Sequence, residues 1–197
     1  MKIFSNFDTN LSNKMFNKYA DTYGKEDVMI VFKNNVFLAL YVIIPLIGYL
    51  MFVGLWFYVG YLIDLGDEYF NQMFNYFLWI VFFISFLIAG RKIFKRFIDY
   101  EMDFALITPE EVVFYEQDGI FSRVGRTLNS SKIRSITVEK DGILRSLFNF
   151  GNVLFLAEGY HEDGGDIRII YITDPDTIKY KAREILRKGS NPDVQVD

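Results

Sequence analysis

The sequence predicts a membrane-bound α+β protein: a hairpin of two transmembrane helices, then a small antiparallel β-barrel or sandwich capped by a C-terminal helix. Three observations predict it. Residues 34–63 and 69–90 are thirty and twenty-two residues without one acidic or basic side chain, and a helix needs about 20 apolar residues to cross a ~30 Å hydrocarbon core. After Asp99 the continuous apolar pattern gives way to alternation punctuated by glycine turns, the mark of half-buried strands. The last segment returns to helical spacing.

Composition divides the chain in the same place. Of 197 residues, 51% are apolar. Residues 1–96 hold nine Lys/Arg against seven Asp/Glu, whereas residues 97–197 hold twelve against eighteen, a net charge of −6. The first half reads as an anchor and the second as a water-facing domain; about 90 residues suffice for one small core. Cysteine is absent, which excludes a disulfide framework and a thiolate metal site. The polar, mixed residues 1–33 do not have the build of a secretory signal and read as a cytoplasmic N-terminal segment.

The hairpin comprises residues 34–90, with spans at 34–63 and 69–90 and an outside loop at 64–68. The loop residues Asp64-Leu65-Gly66-Asp67-Glu68 suffice only for a turn. Pro45 removes one backbone bond and predicts a kink. Ser85 and Ala89 form a small-xxx-small pair suited to a helix contact. Trp56, Tyr58, Tyr61 and Tyr69 stand near the outer ends, as interfacial aromatics do. No ionisable Asp, Glu, Lys, Arg or His lies within either span, as a pore or transporter would ordinarily require. Lys33 precedes the first span, and Arg91, Lys92, Lys95 and Arg96 follow the second, whereas the loop carries three acids and no base. That asymmetry predicts both termini inside and the loop outside. The four bases after Gly90 read as a stop-transfer cluster rather than a dedicated lipid site.

The expected domain covers residues 99–188, with a flexible tail at 189–197. Strand candidates are 102–107, 112–115, 122–128, 133–138, 151–158 and 166–173. Asp118-Gly119 and Asp141-Gly142 supply turns. Residues 142–149 form a longer connection carrying Ile143, Leu144, Leu147 and Phe148. Asp174-Pro175 is an N-cap acid before a proline in the first turn. Ile178, Ala182, Ile185 and Leu186 then fall on one helix face, Arg187 and Lys188 suit the C-terminal dipole, and Gly189 suits the stop.

Five segments resemble a known family. These are GKEDVMIVFK (24–33), GIFSRVGRTL (119–128), KIRSITV (132–138), LFNFGNV (147–153) and ITDP (172–175). In this order, around a two-span hairpin, they are similar to the bacterial pleckstrin-homology (PH) domain proteins of the YdbS-like family, whose pattern runs G-E-x-V, G-L-x-S-R, I-x-x-I, G-x-G-x-V and I-x-[DN]-P. Val124 and Gly125 depart from it, standing where the family carries polar or charged residues. The resemblance covers about residues 24–188. It implies a PH-like antiparallel barrel with a C-terminal helix, at the cytoplasmic face of a bacterial inner membrane.

Chemistry-bearing constellations are sparse. His161 is the sole histidine, and in a Gly-rich acidic turn it reads as a solvated residue rather than a base. Glu158, Glu162, Asp163 and Asp166 lack the spacing of a calcium loop, and no phosphate-binding or zinc motif occurs. No catalytic residue, cofactor or metal is expected. The candidate contacts for lipid or partner are Arg123, Arg126, Lys132, Arg134 and Arg145. Excess acid in the same half disfavours nucleic acid and ranks anionic headgroups below protein. The expected function is a non-enzymatic, membrane-anchored interaction or assembly module whose partners are the bilayer, an unidentified protein, or a second copy of the chain. The alternative is an accessory subunit of a transport or secretion complex.

Overall fold

The computed structural model describes residues 11–63, 66–119, 122–158 and 165–189. Asp64, Leu65, His161, Glu162, Asp163 and the expected tail beyond Gly189 lie outside them. In chain order, helix α1 (Leu11–Tyr23) and strand β1 (Met29–Phe32) precede two long apolar helices, α2 (Asn35–Leu62) and α3 (Glu68–Met102). There follow β2 (Phe104–Ile107), β3 (Glu111–Asp118), β4 (Ser122–Asn129), β5 (Ile133–Glu139), a short helix α4 (Ile143–Leu147), β6 (Phe150–Ala157), β7 (Ile167–Thr173) and α5 (Pro175–Gly189). The chain forms two compact units, Val36–Ile98 and a second made of Met1–Asn35 with Asp99–Asp197.

The Val36–Ile98 unit is helical. α2 and α3 are long and apolar enough to cross a membrane, and only 11% and 6% of their most apolar stretches are buried. A soluble core helix would bury most of that surface. Large side chains such as Leu50, Met51, Phe83 and Leu87 instead point outward, which fits membrane association. The expected kink takes a particular form. Residues Ala39–Ile43 are π-helical, and the Ile44 N–H donates to the Ala39 carbonyl. Pro45 follows directly, with no N–H to give, so the wider turn stands beside the position where the ladder loses a donor. The helices touch through Phe57 against Trp79 and Phe82, at 5.0 and 5.8 Å between ring centroids. Ser85 donates to the Phe82 carbonyl at 2.9 Å, so Tyr49 donates to the Ser85 hydroxyl at 3.1 Å.

The second unit contains two antiparallel sheets, β1-β2-β3-β4 and β5-β6-β7, neither closed on itself. One core lies among them and α5. Val31, Ala105, Ile107, Val112, Phe114 and Leu128 come from the first sheet, Ile136, Val153, Phe155, Ile167, Ile169 and Ile172 from the second, and Ala182, Ile185 and Leu186 from the helix. All six expected strands are present, and α5 buries three of the four residues on its expected face, with Ile178 packed alongside. Asp174 caps α5, and hydrogen bonds from Thr177 hold its carboxyl below the usual range.

Three features depart from the sequence reading. First, β1 precedes the apolar hairpin in sequence, yet pairs residue for residue with β2 beyond it, Met29 to Ile107 and Phe32 to Phe104. Second, β2 is not half-buried, because every one of its residues is covered. Leu106 and Val113 point away from the main core and join Val28, and the α1 side chains Phe16, Tyr19 and Tyr23 pack over them. Tyr19 donates to Glu111 at 2.9 Å, and burial together with that carboxylate pushes its phenol well above the usual range. Third, Gly189 is a helical residue of α5 and not a left-handed one following it. A Cβ there would stand 2.0 Å from the Pro109 carbonyl oxygen, so glycine is required by close approach.

Candidate interaction surface

The five basic residues expected to make contacts are not brought together. Register sets Phe114 opposite Arg126 and Gln117 opposite Arg123. Side chains alternate along a strand, so Arg123 and Arg126 leave β4 on opposite faces. Arg126 pairs with Glu116 at 3.3 Å, both well exposed, a contact of little energetic weight. Arg123 reaches the Met102 sulfur at 3.0 Å. Lys132 ends the 3₁₀ turn Ser130–Lys132. Arg134 lies on β5, in the other sheet. Arg145, on α4, sits over the Tyr171 ring at 5.2 Å. A single headgroup site would need these cations on one face.

The hairpin-flanking bases also part company. Arg91, Lys92 and Arg96 are exposed and Lys95 is half-buried, and Arg96 lies over the Tyr41 ring at 5.7 Å. Lys33 is different. It follows β1 where Asp103 precedes β2, so the β1–β2 register sets the two side by side. Its ammonium meets the Asp103 carboxylate at 2.6 Å, with both side chains almost wholly buried. It also donates to the Asp99 carbonyl at 3.3 Å, and Asp103 accepts from the Gln117 N–H at 2.7 Å. Burial raises the Asp103 carboxyl above its usual range, more than Lys33 lowers it. Desolvation of this kind costs several kcal/mol per ion, so the pair persists only because each charge is matched. Lys33 is thus a structural residue of the folded unit, not a base available to lipid headgroups.

The feature that sequence reasoning passed over as a connection is α4 and the two residues after it. Ile143, Leu147 and Phe148 are 86%, 72% and 60% exposed. The chain turns into this tip at Gly142, with φ of 96°, a conformation that glycine adopts without strain. Both ends are fixed. Lys140 donates to the Asn149 side chain at 2.7 Å and pairs with Asp176 at 2.5 Å. Asn149 in turn donates to Asp174 at 3.3 Å and accepts, through its carbonyl, the Asp174 N–H at 2.9 Å. The side of the tip rests on Tyr171, which has an uncommon left-handed φ of 56°. Four contacts hold it there: its N–H donates to Asn152, its carbonyl accepts from the Asn34 N–H at 2.6 Å, its ring stacks on Phe150, and Arg145 covers it.

Asp166, one of the acidic-turn candidates, accepts from the Ala157 N–H at 2.8 Å and so closes the β6–β7 connection. Among the described residues no three His, Asp or Glu side chains converge as metal ligands would. Compared with protein-family models, with curated proteins and with solved structures, the chain matches none of them. The likeness to the bacterial PH family therefore stands on the five quoted segments and their order.

Proposed function

We propose that this chain is a non-enzymatic interaction or assembly module with a PH-like domain, held at the cytoplasmic face of a bacterial membrane by a two-span hairpin. One observation carries the reading: β1 and β2, which flank the apolar hairpin in sequence, are paired strands of one sheet. A sheet cannot form across a bilayer. If α2 and α3 each span, residues 29–32 and 104–107 must lie on the same side, which is the arrangement that an even number of spans gives. The exposed bases Arg91, Lys92 and Arg96 in the last third of α3, set against the acidic loop, support the cytoplasm as that side. The four-plus-three strand arrangement with its closing helix supports the PH-like reading, and the buried Lys33–Asp103 pair supports a domain built to fold around an inserted anchor. An exposed, clamped apolar tip suits a protein whose work is contact.

Photo-crosslinking of the full chain in native membranes, with captured species identified by mass spectrometry, tests this. A recurrent soluble or membrane partner is the expected result. Stoichiometric capture of a multi-span channel or translocase component would shift the assignment to an accessory subunit of that machine. Turnover of a small molecule by the purified chain would refute it.

A further inference from the structure

We propose that the α4 tip, through Ile143, Leu147 and Phe148, seats in the interfacial layer of the same bilayer that carries α2 and α3. The inference rests on the membrane reading above and adds to it a second, peripheral point of attachment. Ile143, Leu147 and Phe148 are the only cluster of exposed large aliphatic or aromatic side chains within a short segment of the described sheet-containing unit; Met102, Val124 and Tyr180 stand apart from one another in sequence.

Three observations select a bilayer as the occupant. The first is position. Tyr171 touches both Arg145 of α4 and Asn34, and Asn34 immediately precedes the first residue of α2. The tip therefore stands beside the point where the chain leaves the unit for its first apolar helix. The second is size. Three large side chains at this exposure offer on the order of 400 Å² of apolar surface, whereas a standard protein interface takes about 800 Å² from each partner. A bilayer asks for no shape complementarity, and attachment through α2 and α3 holds the tip at high effective concentration, so a small patch suffices. The third is the charge pattern. Arg145 is the sole charged residue within 143–148, and its guanidinium lies over the Tyr171 ring at 5.2 Å, so the segment brings one cation and no acid to an interfacial position. Excess acid elsewhere in this half of the chain weakens any purely electrostatic attraction. The apolar contact is accordingly the term that carries binding, and it is insensitive to salt.

The test uses the full chain, which has no cysteine of its own, reconstituted in phosphatidylcholine vesicles. Single cysteines replace Leu50 in α2, Leu147 and Phe148 in the tip, and Thr127 on exposed β4, each carrying an environment-sensitive dye. The expected result is blue-shifted emission and quenching by spin-labelled acyl chains at positions 50, 147 and 148, with none at 127. The pattern should be unchanged at high salt. Ile143→Asp should abolish the quenching at position 148 while leaving the thermal unfolding curve in place, since that side chain is exposed. If position 50 is not quenched, the membrane reading fails and this inference with it. If position 50 is quenched while 147 and 148 remain open to aqueous iodide, the inference alone is overturned. Equal quenching at 127, or protection of 147 and 148 only in native membranes through a crosslinked polypeptide, also overturns it, the latter in favour of a protein partner.

Discussion

The two units of this molecule handle apolar side chains in opposite ways. In the sheet-containing unit Val112, Val153 and Phe155 are wholly buried; in the helical unit Leu50, Phe83 and Leu87 are more exposed than not. Both units are rich in apolar residues. What differs is where that surface goes: one unit hides it from water, and the other leaves it on the outside of two helices long and apolar enough to cross a membrane. The contrast gives a criterion for reading individual residues. Ile143, Leu147 and Phe148 belong by chain order to the first unit, yet their exposure matches that of the second.

Charge placed at contrasting positions breaks the comparison most forcefully. Ile185→Asp puts an unpaired carboxylate into the shared core and should cost several kcal/mol, on the order of a small domain's whole stability. Leu147→Asp, at the exposed tip, should leave the unfolding midpoint unchanged. Limited proteolysis and thermal unfolding of the full chain in detergent measure both. Equal destabilisation by the two substitutions would erase the distinction between core and tip.

The buried ion pair gives the next largest effect. Lys33→Met strands Asp103 and should cost about 3–5 kcal/mol. Adding Asp103→Asn, which keeps an acceptor for the Gln117 N–H, should recover most of that loss. The sign of the pH dependence is fixed by the raised Asp103 pKa. A group whose pKa is higher folded than unfolded favours the native state below its unfolded pKa and loses that contribution as the pH rises through the folded one. The single variant should therefore be least impaired in acid, where a neutral Asp103 needs no counter-charge. A penalty for Lys33→Met that is small at neutral pH would show that the pair is open to water.

Two smaller effects sharpen the account of how the unit is closed. Gly189→Ala should cost about 1–3 kcal/mol, because the new methyl meets the Pro109 backbone and one of them must move. Tyr19→Phe removes the bond from α1 to Glu111 and should cost about 1 kcal/mol. Since the Tyr19 phenol is raised, the stability from this group is full below about pH 10, where free tyrosine ionises, and is lost progressively as the pH rises from there through the folded value. Tyr19→Phe should therefore flatten the alkaline limb of the stability curve, read by unfolding at a series of alkaline pH values.

The parts that were legible in the sequence are those specified locally. Uncharged length announces α2 and α3; alternation between turn glycines announces β2 to β7; an Asp-Pro start and an i, i+4, i+7, i+8 face announce α5. β1 was not legible, because Met29-Ile30-Val31-Phe32 adjoins a long apolar run and its partner strand lies beyond both apolar helices. The Lys33–Asp103 pair is invisible for the same reason, since only the register reveals it. α1 carried a readable signal that was passed over: Phe16, Tyr19, Ala20 and Tyr23 fall at i, i+3, i+4 and i+7, with Gly24 as the stop. Of the candidate site, the basic residues were found as residue types, but their dispersal over β4, β5 and α4 follows from strand parity and sheet membership. The apolar tip was visible as composition and not as a surface, because exposure is a property of the fold.

The most direct test of the central claim, that both ends of the hairpin return to one side of the membrane where β1 and β2 pair, is cysteine accessibility in intact cells. Single cysteines replace Lys18 in α1, Glu68 at the start of α3 and Thr127 in β4, and an impermeant thiol reagent is applied from outside. The expected result is labelling at position 68 alone, with positions 18 and 127 reacting only after the cells are opened. Labelling of positions 18 and 127 from opposite sides would contradict the account, as would labelling of all three from the same side.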